Sequence, residues 1–92
     1  MSVVYLLLAE IPRDGVERFQ RYEAAVIPLL AEHGGQLERR LRSEDGRTEV
    51  HIVRFPSDAR FASYRDDPRR VEHQQILSDS GARLVLHELF DV

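Results

Sequence analysis

Residues 3–9, VVYLLLA, are apolar at every position. That run limits what the chain can fold into more than any other feature. Seven consecutive apolar residues rich in β-formers read as a strand, and a strand without polar alternation asks for cover on both faces. The run falls far short of the ~18 apolar residues that a membrane-spanning helix needs. Only Met1 and Ser2 stand ahead of it, with no basic residue, so it reads poorly as a secretory leader. A cytoplasmic protein is expected.

Ile11-Pro12-Arg13-Asp14-Gly15 ends this first strand. Asp14 reads as a helix N-cap, with Glu17 three residues on at capping-box spacing. Val16, Phe19, Tyr22, Val26, Leu29, Leu30 and His33 then recur at helical spacing. Pro28 is expected to kink or split that helix, and Gly34-Gly35 to stop it. Residues 36–43 alternate as an edge-type strand, with Leu37, Arg39 and Leu41 on the inward side and Glu38, Arg40 and Arg42 opposite. Glu44-Asp45-Gly46 is a hairpin turn, and 47–55, RTEVHIVRF, is the return strand. Ser57 or Asp58 caps a second helix, which breaks at Asp66-Asp67-Pro68, resumes to about Ser80 and stops at Gly81. Residues 82–90, ARLVLHELF, are the last strand.

Residues 1–92 therefore read as one domain. The order is β-α-β-β-α-β, an α+β, ferredoxin-like arrangement: a four-stranded antiparallel sheet with two helices on one face. The return strand carries Val50 and Ile52 on one face and Val53 and Phe55 on the other. The last strand has Leu84, Leu86 and Phe90 against Val85 and Leu89. Two helices cover one sheet face only, and a bare apolar face of several hundred Å² is not tolerated in a soluble monomer. The simplest cover is a second copy related by two-fold symmetry, so the expected partner is the chain itself, a homodimer through the open sheet face.

The chain has no cysteine, which excludes a disulfide framework, a zinc–thiolate site and a cysteine nucleophile. Its net charge of −3 argues against a nucleic-acid partner. All 13 basic side chains are arginine, which coding bias in a GC-rich genome explains more simply than anion recognition. RNA-recognition domains share the topology, but Thr48–Phe55 offers one aromatic and no glycine, so their stacking platform is missing. The histidines at 33, 51, 73 and 87 show no HxH, HxxxH or HxxE spacing. No GxGxxG, P-loop or nucleophile elbow is present. No metal, cofactor or membrane partner is expected.

Two stretches resemble known families. Pro28-Leu29-Leu30-Ala31-Glu32-His33-Gly34-Gly35 resembles the "PLLxxHGG" end of helix one in NIPSNAP-type proteins. Val50-His51-Ile52-Val53-Arg54-Phe55-Pro56-Ser57, followed by Tyr64 and Asp67-Pro68, resembles their "VHIWxY…DP" stretch. It is also similar to the "EFPS…FYxSP" stretch of a small bacterial family. With the two-faced apolar sheet, the whole chain resembles the dimeric α+β barrel superfamily. Val53 departs from the pattern, standing where those proteins have an aromatic. The superfamily includes cofactor-independent monooxygenases of quinol-type substrates, haem-binding and haem-degrading enzymes, and lactone isomerases.

The resemblance implies a pocket between helices and sheet, with Phe55 under the helices. His51 and Val53 then share the face of Phe55, and His51 is the candidate catalytic residue: an imidazole suits proton abstraction from a phenol or an acidic carbon. Tyr22 and Tyr64, one on each helix, are candidate ligand-binding residues over the same pocket. His73 is a third, the natural axial ligand if haem bound, although no other feature supports haem. Tyr5 reads as core, and His33 as a helix C-terminal residue favoured by the dipole. Arg54 points to the opposite face, where Glu88 or Glu10 is the expected partner.

The expected function is that of a small homodimeric, cofactor-independent enzyme, monooxygenase- or isomerase-like, acting on a small hydrophobic or aromatic metabolite in a cavity of at least ~300 Å³. The alternative is a non-catalytic small-ligand-binding or regulatory module, since ACT-type domains share this element order.

Overall fold

The computed structural model describes residues 2–92. The elements are β1 (Val3–Glu10), a 3-10 turn (Arg13–Gly15), α1 (Val16–Val26), a 3-10 helix (Ile27–His33), β2 (Gln36–Arg42) and β3 (Thr48–Phe55). They continue with α2 (Asp58–Arg65), α3 (Pro68–Val71), α4 (Gln74–Ser80) and β4 (Arg83–Leu89). The four strands form one antiparallel sheet in the order β2-β3-β1-β4, the ferredoxin-like order. The all-apolar β1 is an interior strand, between β3 and β4.

Local chemistry sets most boundaries. Ser57 caps α2 by accepting from the Arg60 amide. Asp67 does the same for Arg69 at the start of α3, with Pro68 in the first turn. Gly34 (φ 78°) and Gly81 (φ 73°) end their helices in the left-handed conformation. Pro28 splits the first helix: the chain passes from α to 3-10 geometry at Ile27, and Pro28 lies in the first turn of the new segment, where its missing N–H costs nothing. Asp14 does not cap α1. It lies inside the 3-10 turn, and no side chain caps the helix. Gly15 is buried so tightly against the Ser80 carbonyl that a Cβ there would collide with it. That contact, rather than a cap, fixes the entry into α1.

The helices lie on the side of the sheet to which Val3, Tyr5 and Ala9 point. Val3, Tyr5 and Phe55 pack with Leu29, Leu30 and Tyr64 in one cluster. Ala9 and Ile11 pack with Phe19, Tyr22, Val26 and Leu77 in another.

β2 departs from the expected alternation. Leu37 pairs with Val53, but the register slips before Arg39, so that Arg40 lies opposite His51 and Arg42 opposite Glu49. Arg40 and Arg42 therefore turn under the helices, and Leu41 faces out, 49% exposed. The physical reason lies on the neighbouring elements: Glu23 and Glu49 are buried carboxylates, and a buried charge needs a counter-charge.

The other face carries Leu6, flanked by Ile52 and His87, and Leu8, flanked by Val50 and Val85. Leu41, Val85 and Leu89 on this side are exposed. Arg54 and His87 also belong to this open face. Arg54 pairs with Glu38 at 3.0 Å and Asp91 at 3.2 Å rather than with Glu88 or Glu10. Glu88 sits beside Tyr5, on the helix side. No helix among the described residues is long and apolar enough to cross a membrane.

Candidate functional site

Tyr5 and Ala9 enter different core clusters, and Leu7 between them enters neither. At Leu7 and its cross-strand neighbour His51 the core opens into a cavity of about 230 Å³. That is smaller than the ~300 Å³ expected for a typical ligand pocket. Its wall is aromatic, from Tyr5, Phe19, Tyr22, Phe55, Phe61 and Tyr64. His51 and Glu23 add polar groups, Arg65 and Arg70 add cations, and Leu84 and Leu86 of β4 border it on an exposed side. A larger depression of about 430 Å³ lies past the end of β1, around Arg47 and Arg83. It is an open surface feature without aromatic walls, so the smaller cavity is the candidate site.

His51 is 7% exposed, held by two carboxylates that are more deeply buried still. Its Nε2 lies 2.9 Å from Glu49 Oε1 and 3.0 Å from Glu23 Oε2. Glu49, two residues back on the same face of β3, also accepts from Arg40 Nε at 2.8 Å and Arg42 Nε at 3.2 Å. Arg40 Nη2 approaches Glu23 Oε1 at 3.2 Å, yet neither oxygen of Glu23 is aligned for a hydrogen bond. The two acids consequently differ. Burial drives the Glu23 carboxyl above the usual range, and the neighbouring Glu49 adds to the shift while His51 opposes it. Burial pushes Glu49 the same way, but contacts to Glu23, His51, Arg40 and Arg42 outweigh it and bring its pKa down to about 2. Burial disfavours the imidazolium of His51, and the two carboxylates more than offset that, so its pKa is raised.

Chemically, Glu49 is an ionised acceptor that fixes His51 through Nε2. Among the described residues nothing hydrogen-bonds Nδ1. Glu23, Glu49 and His51 also present three ligand atoms within 4.8 Å of one another. Histidine spacing alone missed this set, because two of its members are acids. It fits a divalent cation poorly, since two guanidinium groups already occupy the same carboxylates.

Tyr22 and Tyr64 both line the cavity, from α1 and α2. Burial raises the pKa of each hydroxyl. His73 does not reach it: the residue sits at the junction of α3 and α4, its Nδ1 2.7 Å from the Arg69 carbonyl. Tyr5 donates to Asp58 at 2.6 Å. His33 does more than answer a helix dipole, for its Nε2 lies 2.8 Å from Asp67 and ties the end of the 3-10 helix Ile27–His33 to the α2–α3 junction.

Glu23, Glu49, Arg40, Arg42 and Arg70 belong to the site and were not foreseen. Glu23 had a signal, an acid on the apolar stripe of Phe19, Tyr22 and Val26. Glu49 had one too, two residues before His51 on an alternating strand.

No protein-family model matches the chain, and no curated protein matches it. Solved structures do. A Bacteroides thetaiotaomicron protein provisionally described as an antibiotic biosynthesis monooxygenase superposes with a TM-score of 0.83 at 13% identity, over 99% of this chain and 90% of that one. A dimeric ferredoxin-like protein of unknown function from Jannaschia sp. CCS1 gives 0.77 at 16% identity, over 99% and 100%. SnoaB, a cofactor-independent oxygenase from Streptomyces nogalater, gives 0.73 at 17% identity, over 99% and 93%. The chain shares the ferredoxin-like fold of these proteins. These structures do not bear on the narrower NIPSNAP resemblance.

Proposed function

We propose that the chain is a cytoplasmic, homodimeric enzyme that removes a proton from a small hydrophobic or aromatic metabolite held in the cavity, with His51 as general base and no bound cofactor. The observation that carries this reading is the 2.9 Å contact between His51 Nε2 and the ionised Glu49 in the wall of an aromatic cavity. Glu49 takes the Nε2 proton as a hydrogen bond, which leaves Nδ1 as the acceptor for a substrate proton. A hydroxyarene that loses its proton becomes electron-rich enough to react with dioxygen. Hydroxyarene plus dioxygen then yields quinone plus water, the substrate supplying the electrons. Returning the proton at another carbon gives an isomerisation instead. The fold neighbour SnoaB, a cofactor-independent oxygenase, favours the first outcome.

The homodimer rests on the open sheet face around Leu6, Leu8 and Ile52, which the helices leave bare. The Jannaschia neighbour, a dimer of the same fold, supports it. The test is a panel of hydroxyarenes and aromatic ketones incubated with native protein and with His51→Ala, products read by mass spectrometry. New product with native protein alone is expected. Ligand that is retained but unchanged by either protein would favour a binding module.

A further inference from the structure

Two buried donors in the cavity wall lack an acceptor. Tyr22 is 5% exposed, and its hydroxyl has no hydrogen-bond partner among the described residues. The Nε of Arg70 is likewise buried without one. Both residues line the cavity. Buried donors are ordinarily satisfied, because leaving one dry forfeits the hydrogen bonds it made to water. Tyr5, in the same wall, gives its hydroxyl to Asp58. Arg40, Arg42, Arg54 and Arg69 each face a carboxylate. Arg70 faces none among the described residues. One of its terminal nitrogens reaches the Arg65 carbonyl at 3.4 Å, and its guanidinium lies 5.0 Å from the centre of the Tyr64 ring. Stacking of that kind holds the fork in place before any ligand arrives.

We propose that the cavity is built for an aromatic carboxylate, whose oxygens accept from the Tyr22 hydroxyl and Arg70 Nε while its ring lies among Phe19, Phe55 and Phe61. A carboxylate answers both donors at once and supplies the counter-charge that Arg70 lacks. Glu49 is answered by Arg40, Arg42 and His51, and Glu23, whose oxygens are not aligned for a hydrogen bond, lies within ion-pair distance of Arg40, Arg42 and His51, which offset its charge. Size narrows the class further. A cavity of roughly 150 Å³ takes benzene, so about 230 Å³ takes one substituted ring or two fused rings. The inference rests on the cavity as the ligand site and is independent of the role of His51 in proton transfer.

The test uses the full chain and two probes of one shape, 2-naphthoate and its neutral amide, 2-naphthamide, titrated by calorimetry. The acid is expected to bind at least about tenfold more tightly than the amide, the range of a charge-assisted hydrogen bond. Arg70→Gln and Tyr22→Phe should each reduce that preference to less than about threefold, the acid losing more affinity than the amide. His51→Ala should keep it. Tyr22→Phe should not lower the melting temperature of the ligand-free protein, because it removes a donor with nothing to donate to. Equal affinity for acid and amide, or a preference that survives both substitutions, overturns the carboxylate assignment and leaves the cavity as a ligand site. Failure of both probes at millimolar concentration overturns the cavity as a ligand site as well.

Discussion

His51 and Glu49, two residues apart on one face of β3, meet at 2.9 Å, and Glu49 carries Arg40 on the same oxygen at 2.8 Å. One buried carboxylate therefore organises both the imidazole and the guanidinium beside it. Replacing it with the neutral isostere, Glu49→Gln, strands two arginines and leaves His51 without its anion. A loss of about 3 kcal/mol of stability is expected, the usual cost of breaking a buried pair. Urea denaturation measures it. A loss within ~0.5 kcal/mol, the level of an ordinary surface substitution, would show that the cluster is not the anchor described here.

The same cluster sets a pH dependence. The folded pKa of Glu49 is lowered from 4.5 to about 2. Its contribution to stability is therefore full above pH 4.5 and lost as pH falls toward 2. His51 runs the other way. Its pKa is raised above 6.5, so its contribution is full below pH 6.5 and declines as pH rises through the folded value. Thermal melts of native protein and His51→Gln across pH 5 to 9 should converge toward the alkaline end. Parallel curves would show that protonated His51 makes no stabilising contact with Glu49 and Glu23.

Leu6, between Ile52 and His87 in register, lies near the middle of the open sheet face. A lysine at Ile52 places a charge in the face that a second copy would cover. Native protein is expected at twice the 10.7 kDa chain mass, and Ile52→Lys at the single mass, with unchanged circular dichroism. Native mass spectrometry separates the two. A native monomer would leave the apolar face unexplained.

Part of this was legible in the sequence. Val3–Ala9 asked for cover on both faces of its strand, and alternation set His51, Val53 and Phe55 on one face, which the family resemblance placed under the helices. The inward arginines were not legible, because a one-residue slip between Leu37 and Arg39 inverts every side chain after it. Nothing local in QLERRLR announces that slip. It follows from carboxylates on α1 and β3 that only the folded chain brings near. Asp14 failed as a cap for a related reason: the packing of Gly15 on α4 overrode a local spacing.

Gly15→Ala tests that packing. The added methyl meets the Ser80 carbonyl, a backbone atom that cannot swing aside. The expected loss is about 2 kcal/mol, in the range of overpacked cores, read by urea denaturation. An unchanged midpoint would mean that α1 and α4 are not in fixed contact.

The proposed activity depends on His51 removing a proton from a ligand in the cavity. Exchange of the α-protons of 1-tetralone into D2O, followed by NMR, tests it without requiring the natural substrate. The native protein is expected to exchange them at least about a hundredfold faster than His51→Ala, the contribution usual for a positioned base, with the variant at the rate of buffer. Equal rates for the two proteins, or a native rate no faster than buffer, would contradict it.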